Sequence, residues 1–178
     1  MTGDLTPVAF ERIVDALNER GVRYVVIGGL AALLQGVPLP RTADVDITPA
    51  PDVEKKRRLA HALRDLDAKL RVPGSDEPFD VRLDERTFTD MVTMTFVTRF
   101  GPFDVAFVPD GTRGFDDLAR NARVVEREGV AIPVAALEDI ARSKEAAGRE
   151  KDAAHLVVLL DYLERDATRP RGATDTEA

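Results

Sequence analysis

The chain has 178 residues, enough for one hydrophobic core with a small helical appendage, and its 44% hydrophobic and 32% charged residues are typical of a globular protein. No apolar run is long enough to cross a bilayer and no secretory signal is visible, so we expect a cytoplasmic protein without a membrane partner. The absence of cysteine excludes disulfides and thiolate metal sites, and the net charge of −7 argues against a general nucleic-acid coat while allowing a local patch that docks one RNA end.

The first quarter of the chain alternates helical and strand patterns. Thr6 is a candidate N-cap, with Pro7 at the first helical position, and apolar residues then recur at helical spacing. The short β-branched runs that follow are typical of central strands. We predict a helix from Pro7 to Gly21, a strand over 22–27, a Gly28-Gly29 turn, a helix over 30–35 that ends at Gly36, and a strand over 43–48 after the loop VPLPRT.

The middle of the chain predicts one long helix and two hairpins. Asp52 is a candidate cap for the helix, and the apolar residues Leu59, Leu63, Leu66 and Leu70 would share its buried face. We predict this helix over 53–68, a loop over 72–88 that holds at most a short strand over 79–83, strands over 91–100 and 103–108 joined by Gly101-Pro102, a helix over 114–121, and a small hairpin of 123–126 and 130–133.

Three arginines, Arg57, Arg58 and Arg64, lie on the polar face of the helix predicted over 53–68. Two interpretations are open for them. They are either an ordinary solvated surface, which is the more common case, or a patch that faces RNA.

The last part of the chain predicts two helices, over 135–147 and 151–164, that meet at Gly148. Their apolar faces must pack on the sheet or on another subunit. We therefore divide the chain into a core over 1–133, a C-terminal helical segment over 134–166 and a polar, disordered tail over 167–178.

Asp44 and Asp46 are the first candidate site residues. Alternate residues of a strand share a face, so the two carboxylates would lie about 6 to 7 Å apart on one side. Such a pair is repulsive unless a cation lies between its members, and oxygen ligands of this kind suit Mg²⁺. An isolated D-x-D pattern is weak evidence, however, and a solvated strand end is the better explanation of such a pattern on its own.

Asp104 strengthens the case for a metal site. It lies between Phe103 and Val105 in an apolar strand, where an unpaired carboxylate is costly to bury. Its position is explained if it faces the same ions as Asp44 and Asp46, whereas the alternative is an edge strand with the carboxylate in solvent.

Residues suited to binding phosphate lie close to the aspartates in sequence. Gly28 and Gly29 lie at a strand-to-helix junction, where a phosphate can approach the backbone, although a tight turn also explains a glycine pair. Arg41 and Thr42 precede Asp44 and offer a guanidinium and a hydroxyl to phosphate oxygens.

This chain has Gly-Gly after a strand, then R-T-x-D-x-D, then F-D-V on a distant strand. Together these motifs resemble the polymerase-β-like nucleotidyltransferase superfamily. The resemblance covers about residues 22–110 and implies an α+β fold (an α/β mixed sheet) whose three carboxylates bind two Mg²⁺ ions and transfer a nucleoside monophosphate from an NTP. The superfamily often has Gly-Ser where this chain has Gly28-Gly29, so Thr42 or backbone N–H groups would have to replace the serine hydroxyl.

The segment LEDIARSKEAAGREKDAAHL resembles the helical end of small bacterial nucleotidyltransferases of the AbiEii and related toxin type. That resemblance implies that Lys144 faces the triphosphate and that Lys151 and Asp152 complete the nucleotide pocket. A charged helix start is the alternative explanation for Lys151 and Asp152.

The implied activity is Mg²⁺-dependent transfer of a nucleoside monophosphate to an acceptor, with tRNA in a toxin–antitoxin system as the favoured acceptor and a cognate antitoxin as a partner. Two other acceptors are open, a protein side chain and an antibiotic hydroxyl. A catalytically silent nucleotide-binding domain, or a phosphate-binding protein of another fold, would be a different class of protein, and the latter is excluded if Asp104 lies beside Asp44 and Asp46.

Overall fold

The computed structural model describes residues 7–168, which form a seven-stranded mixed sheet with helices on it. The sheet order is β3-β4-β5-β2-β1-β7-β6, in which β2 is parallel to β5 and antiparallel to β1. This confirms the predicted α+β class. The strands are β1 (Tyr24–Ile27), β2 (Val45–Pro49), β3 (Lys69–Arg71), β4 (Thr93–Thr98), β5 (Gly101–Ala106), β6 (Arg123–Arg127) and β7 (Val130–Val134).

Six α-helices and one 3₁₀ turn accompany the sheet within residues 7–168. Asp52 caps the third helix as predicted, because its side chain accepts a hydrogen bond from Lys55 N at 3.0 Å. The proposed cap Thr6 and the tail from residue 169 onward lie outside the described residues. The helices are α1 (Pro7–Glu19), α2 (Gly28–Leu34), α3 (Val53–Asp65), α4 (Phe115–Ala119), α5 (Leu137–Ala147) and α6 (Glu150–Thr168), and the 3₁₀ turn is Glu85–Phe88.

The hydrophobic core lies on one face of β2, β4 and β5. Val45 and Ile47 on β2 and Phe103 and Val105 on β5 are fully buried, while the alternate residues face the other way. The α1 helix contributes fully buried residues with the helical spacing seen in the sequence, Ile13, Val14 and Leu17.

The prediction was wrong about the segment around Leu70. We expected Leu70 on the buried face of a helix over 53–68, but α3 ends at Asp65 and Leu70 lies in β3. Asp67 has a φ of 53°, and Ala68 N donates to Leu63 O at 2.9 Å, so the chain leaves the helix in a left-handed turn. The segment 72–88, predicted to hold at most a short strand, forms a single bridge between Phe79 and Leu70 and the 3₁₀ turn Glu85–Phe88.

The hairpin of β4 and β5 turns two residues earlier than predicted. Gly101 and Pro102 begin β5, and the turn lies at Arg99 and Phe100. Thr98 stabilises it, because its hydroxyl donates to Gly101 O at 2.8 Å and accepts from Phe100 N at 3.1 Å.

The C-terminal helices pack on the rest of the molecule near α2. Tyr162 on α6 donates its hydroxyl hydrogen bond to Gln35 O at 3.2 Å, and Leu159 is fully buried. Within residues 7–168, none of the helices combines the length and the apolarity that a bilayer crossing needs.

Candidate active site

Three carboxylates meet at the centre of the sheet. Asp46 on β2 lies directly opposite Asp104 on β5 in the parallel register, and Asp44 precedes β2. Oxygen atoms of the three side chains all lie within 4.8 Å of one another. Because β5 lies between β4 and β2, the alternative of an edge strand with Asp104 in solvent is excluded.

Burial and mutual repulsion govern the charge of Asp46. Burial, reinforced by the charges of Asp44 and Asp104, raises the pKa of Asp46 to about 8, although Lys144 and Lys151 act in the opposite direction. In the metal-free protein Asp46 is therefore largely protonated at neutral pH. A cation at the cluster would favour the ionised carboxylate and so oppose this shift.

Asp104 has one carboxylate oxygen without a partner. Its Oδ1 is buried and accepts no hydrogen bond. Burial raises the pKa of Asp104, a hydrogen bond with Thr95 opposes this, and the charge of Asp44 adds to the rise. An unsatisfied buried oxygen beside two further carboxylates is the donor set that a divalent cation needs, so the residues present fit a magnesium site.

Thr42 orients Asp44. Its hydroxyl donates a hydrogen bond to Asp44 Oδ1 at 2.7 Å, which leaves that hydroxyl occupied in the metal-free site. Arg41, the preceding residue, is exposed and does not line the cavity over the carboxylates.

Gly28 places the backbone against Asp46. Its φ is +69°, and a Cβ atom at this position would lie 2.6 Å from Asp46 Oδ2. Gly29 is less restricted, because a Cβ there would make an ordinary contact of 3.6 Å with Thr42. Only a glycine at position 28 allows the strand end and the carboxylate to lie so close.

The two C-terminal helices form a cationic wall opposite the carboxylates. Lys144 on α5 forms an ion pair with Asp152 on α6, with Nζ and Oδ1 2.6 Å apart, and both side chains are largely buried. Burial raises the pKa of Asp152, but the hydrogen bond from Lys144 and the positive charges of Lys144, Arg149 and Lys151 together outweigh it, so the pKa is lowered. Lys151 is exposed and has no hydrogen bond or ion pair within the described part of the chain.

A cavity of about 350 Å³ joins the carboxylates to this wall. The structure thus brings together every residue that the sequence suggested for the site except Arg41. They line the cavity as follows: Gly28, Gly29, Thr42, Asp44, Asp46, Asp104, Lys144, Lys151 and Asp152.

Sequence reasoning missed four residues of the site. Arg149 lies 3.7 Å from both Asp110 and Asp152, and His155 lines the cavity one helical turn after Lys151. Thr95 could have been found, because the register of a hairpin places it opposite Asp104. His155 could have been found from its i+4 spacing to Lys151, whereas nothing in the sequence indicated Asp110.

We expect metal binding to release protons. Asp46 holds its proton up to a pH of about 8, and Mg²⁺ binds the ionised form, so the metal affinity should rise as the pH increases from 6 to about 8. Calorimetric titration with Mg²⁺ at pH 7, in two buffers of different ionisation enthalpy, measures the number of protons released. Asp46→Asn should release fewer protons than the wild type on binding Mg²⁺. Equal proton release by the two proteins would contradict the assignment of the released proton to Asp46.

No family model and no curated protein matches the sequence, so the comparisons rest on solved structures. A provisional nucleotidyltransferase from Thermotoga maritima has a TM-score of 0.53 and 23% identity over 87% of this chain and 92% of its own. The lincosamide antibiotic adenylyltransferase LnuA, solved with lincomycin, has a TM-score of 0.60 and 16% identity over 89% and 98%. ANT(2'')-Ia, solved with adenylyl-2''-tobramycin, has a TM-score of 0.56 and 12% identity over 90% of each chain.

These likenesses show the fold. The chain has the mixed sheet and helical arrangement of nucleotidyltransferases, as the resemblance of its motifs implied. Identities of 12% to 23% do not carry the substrates of those proteins over to this one.

Proposed function

We propose that the protein is a metal-dependent nucleotidyltransferase, which transfers a nucleoside monophosphate from an NTP to an acceptor and releases pyrophosphate. The carboxylate cluster carries this proposal. The three carboxylates have oxygens within 4.8 Å of one another, and one of these side chains, Asp104, has a buried oxygen without a hydrogen bond. All three side chains face a cavity large enough for a nucleotide. A merely structural cluster of this kind would be costly to bury.

Asp44, Asp46 and Asp104 would hold the divalent ions, proposed to be two Mg²⁺, which neutralise charge on the phosphate oxygens. The remaining roles belong to the protein alone. Gly28 and Gly29 let a phosphate approach the backbone, and Thr42 fixes the orientation of Asp44. Asp104 Oδ1 is free to accept the proton of an attacking hydroxyl.

Lys144 and Lys151 have different parts in binding the triphosphate. The ion pair with Asp152 fixes the position of the Lys144 ammonium group in the wall of the cavity, where it is available to a phosphate oxygen. Lys151 is unpaired and exposed, so it is free to follow the phosphates. Arg41 does not line the cavity, so the structure adds no support for the phosphate contact that we expected of it from the sequence.

We expect the substitution Lys151→Met to raise the KM for NTP about tenfold, because one charge-assisted contact to phosphate is lost. Steady-state kinetics at saturating Mg²⁺ measures it. Lys55→Met, on the exposed start of α3, is the control and should leave the KM unchanged. Equal KM values for both variants and the wild type would remove Lys151 from the nucleotide site.

For the acceptor we propose an RNA 3′ end, with tRNA as the substrate in a toxin–antitoxin setting; the resemblance of the C-terminal segment to toxin-type enzymes supports this. The arginines of α3 add no support, because Arg57 and Arg58 both pair with Glu54 at 3.0 to 3.1 Å. An antibiotic-type small molecule is the second candidate, since LnuA and ANT(2'')-Ia cover almost the same length of chain.

Separate incubations with labelled NTPs, Mg²⁺ and either total RNA, cell lysate, lincomycin or tobramycin test the class of enzyme. Label should appear on an acceptor with the wild type and not with Asp46→Ala. Label on tRNA would support the toxin-type proposal, and label on lincomycin or tobramycin would support the second candidate. Nucleotide binding without transfer to RNA, protein or drug would instead indicate a catalytically silent nucleotide-binding domain.

A further inference from the structure

A row of polar side chains crosses the sheet from the carboxylates to its β3 edge. The strand registers place Asp46 opposite Asp104, Asp104 opposite Thr95, and Thr95 opposite Arg71. Residues paired across neighbouring strands share a face. Arg71 and Thr95 therefore lie on the same side of the sheet as the catalytic carboxylates, away from the core.

A second cavity lies at this end of the row. It has a volume of about 390 Å³ and is lined by Arg71, Thr95 and the loop 72–76. Thr95 separates it from Asp104, with which Thr95 forms a hydrogen bond. A single strand position, Thr95, therefore lies between the second cavity and the carboxylate cluster.

Arg71 is the unpaired cation of this surface. Its side chain has no ion pair or hydrogen bond within residues 7–168. By contrast, the side chain of Lys69, two residues earlier on the same face, pairs with Asp80 at 3.4 Å. Its charge nevertheless acts on the cluster, because it opposes in part the rise that burial causes in the pKa of Asp104. A free guanidinium beside an open groove is suited to a phosphate, which it can bind through two parallel hydrogen bonds.

The geometry of an in-line displacement indicates which side of the carboxylate cluster binds the triphosphate and which side binds the acceptor. In an in-line displacement the attacking oxygen and the leaving pyrophosphate lie on opposite sides of the reacting phosphorus. Lys144, Lys151 and Arg149 lie on the α5–α6 side, where they are available to the triphosphate. The acceptor hydroxyl is then left to the β3–β4 side of Asp104, where Arg71 lies.

We propose that Arg71 and Thr95 form the acceptor subsite and that Arg71 binds a phosphate group carried by the acceptor next to its attacking hydroxyl. This inference rests on the proposed nucleotidyl transfer. The acceptor oxygen forms a bond to the α-phosphorus as the bond between that phosphorus and the bridging oxygen breaks. The hydroxyl proton passes to Asp104, and pyrophosphate leaves with the bonding electrons.

The test compares Arg71→Gln with Arg71→Lys and with the matched control Lys69→Gln, which removes a cation from the same face of the same strand. Initial rates of transfer are measured with labelled NTP and Mg²⁺ over a range of acceptor concentrations. The acceptors are deacylated tRNA, a nucleoside 5′-monophosphate, and tobramycin or lincomycin, which carry no phosphate. The first two distinguish a phosphodiester on RNA from a phosphate on a small molecule.

We expect Arg71→Gln to raise the KM for the phosphate-bearing acceptor at least about tenfold, with the KM for NTP unchanged. Arg71→Lys should recover part of the affinity because it keeps the charge, and Lys69→Gln should resemble the wild type. Binding of fluorescent single-stranded RNA in EDTA measures the contact without catalysis. The affinity should fall with Arg71→Gln and stay at the wild-type value with the control Lys69→Gln.

Three results would overturn the inference while leaving the proposed function intact. One is transfer only to tobramycin or lincomycin, and another is an unchanged KM for the phosphate-bearing acceptor with Arg71→Gln. The third is a lower kcat for every acceptor and a shifted pH profile with an unchanged acceptor KM, which would mean that Arg71 acts only through the charge of Asp104. By contrast, wild-type protein that transfers label to no acceptor would reject the proposed function itself.

Discussion

Asp46→Asn is expected to lower nucleotidyl transfer by on the order of 10³-fold and, at the same time, to stabilise the metal-free protein. Asp46 is the centre of the cluster, and its charge is disfavoured by burial and by Asp44 and Asp104. Asparagine keeps the shape of the side chain but removes the charge. Catalysis and stability therefore make opposite demands on this one position.

The sign of the stability effect follows from the pKa. The carboxyl of Asp46 ionises near pH 4 in the unfolded chain and near 8 in the folded one, so the folded protein loses stability as the pH rises between these values. Denaturant unfolding in EDTA should show Asp46→Asn about 1 to 2 kcal/mol more stable than the wild type at pH 8.5, and much less so at pH 4. A variant that is less stable at both pH values would contradict the account of the cluster.

Magnesium should reverse the order of stability. Binding to the folded state raises the free energy of unfolding of the wild type, whereas Asp46→Asn has lost a ligand and should gain little. The control is Asp65→Asn, because Asp65 pairs with Arg20 on the surface, far from the cluster in sequence and fold. Its response to Mg²⁺ should equal that of the wild type.

The second large effect is expected for Gly28→Ala. The added Cβ would have to occupy a left-handed backbone conformation and would lie 2.6 Å from Asp46 Oδ2. We expect a loss of about 2 to 3 kcal/mol in the free energy of unfolding, together with loss of transfer because Asp46 must move. Urea unfolding and initial rates measure the two effects separately.

Gly129→Ala separates backbone strain from the clash. Gly129 has a φ of +82° in the turn between β6 and β7, and a Cβ there would meet nothing within 4 Å. This variant should lose only about 1 kcal/mol and keep its activity. If Gly28→Ala behaves like Gly129→Ala, the close approach of Gly28 to Asp46 is not needed for function.

The site could be predicted to a large extent because its carboxylates lie on short, regular strands. The alternation of Val45 and Ile47 with Asp46, and of Phe103 and Val105 with Asp104, fixes which face each side chain takes. Because burying an unpaired aspartate in an apolar strand is costly, the position of Asp104 indicated a metal site before its neighbours in the fold were known.

Other features depend on tertiary contacts that a sequence pattern does not contain. The strand β3 has only three residues, and its apolar Leu70 continues the helical spacing of α3, so periodicity alone extended the helix through it. The ion pair of Lys144 with Asp152 links two helices across Gly148. The family resemblance implied that both residues lie at the nucleotide pocket, but it did not predict that they pair with each other. The role of Arg71 required the register of three strands.

The position of the transferred phosphorus tests the central claim most directly. The protein is incubated with Mg²⁺ and an acceptor fraction, once with NTP labelled at the α-phosphate and once with NTP labelled at the γ-phosphate. We predict that the α-label becomes attached to the acceptor, that the γ-label appears in pyrophosphate, and that Asp104→Asn abolishes both. Attachment of the γ-label, or α-label transfer that persists in Asp104→Asn, would contradict nucleotidyl transfer at this carboxylate cluster.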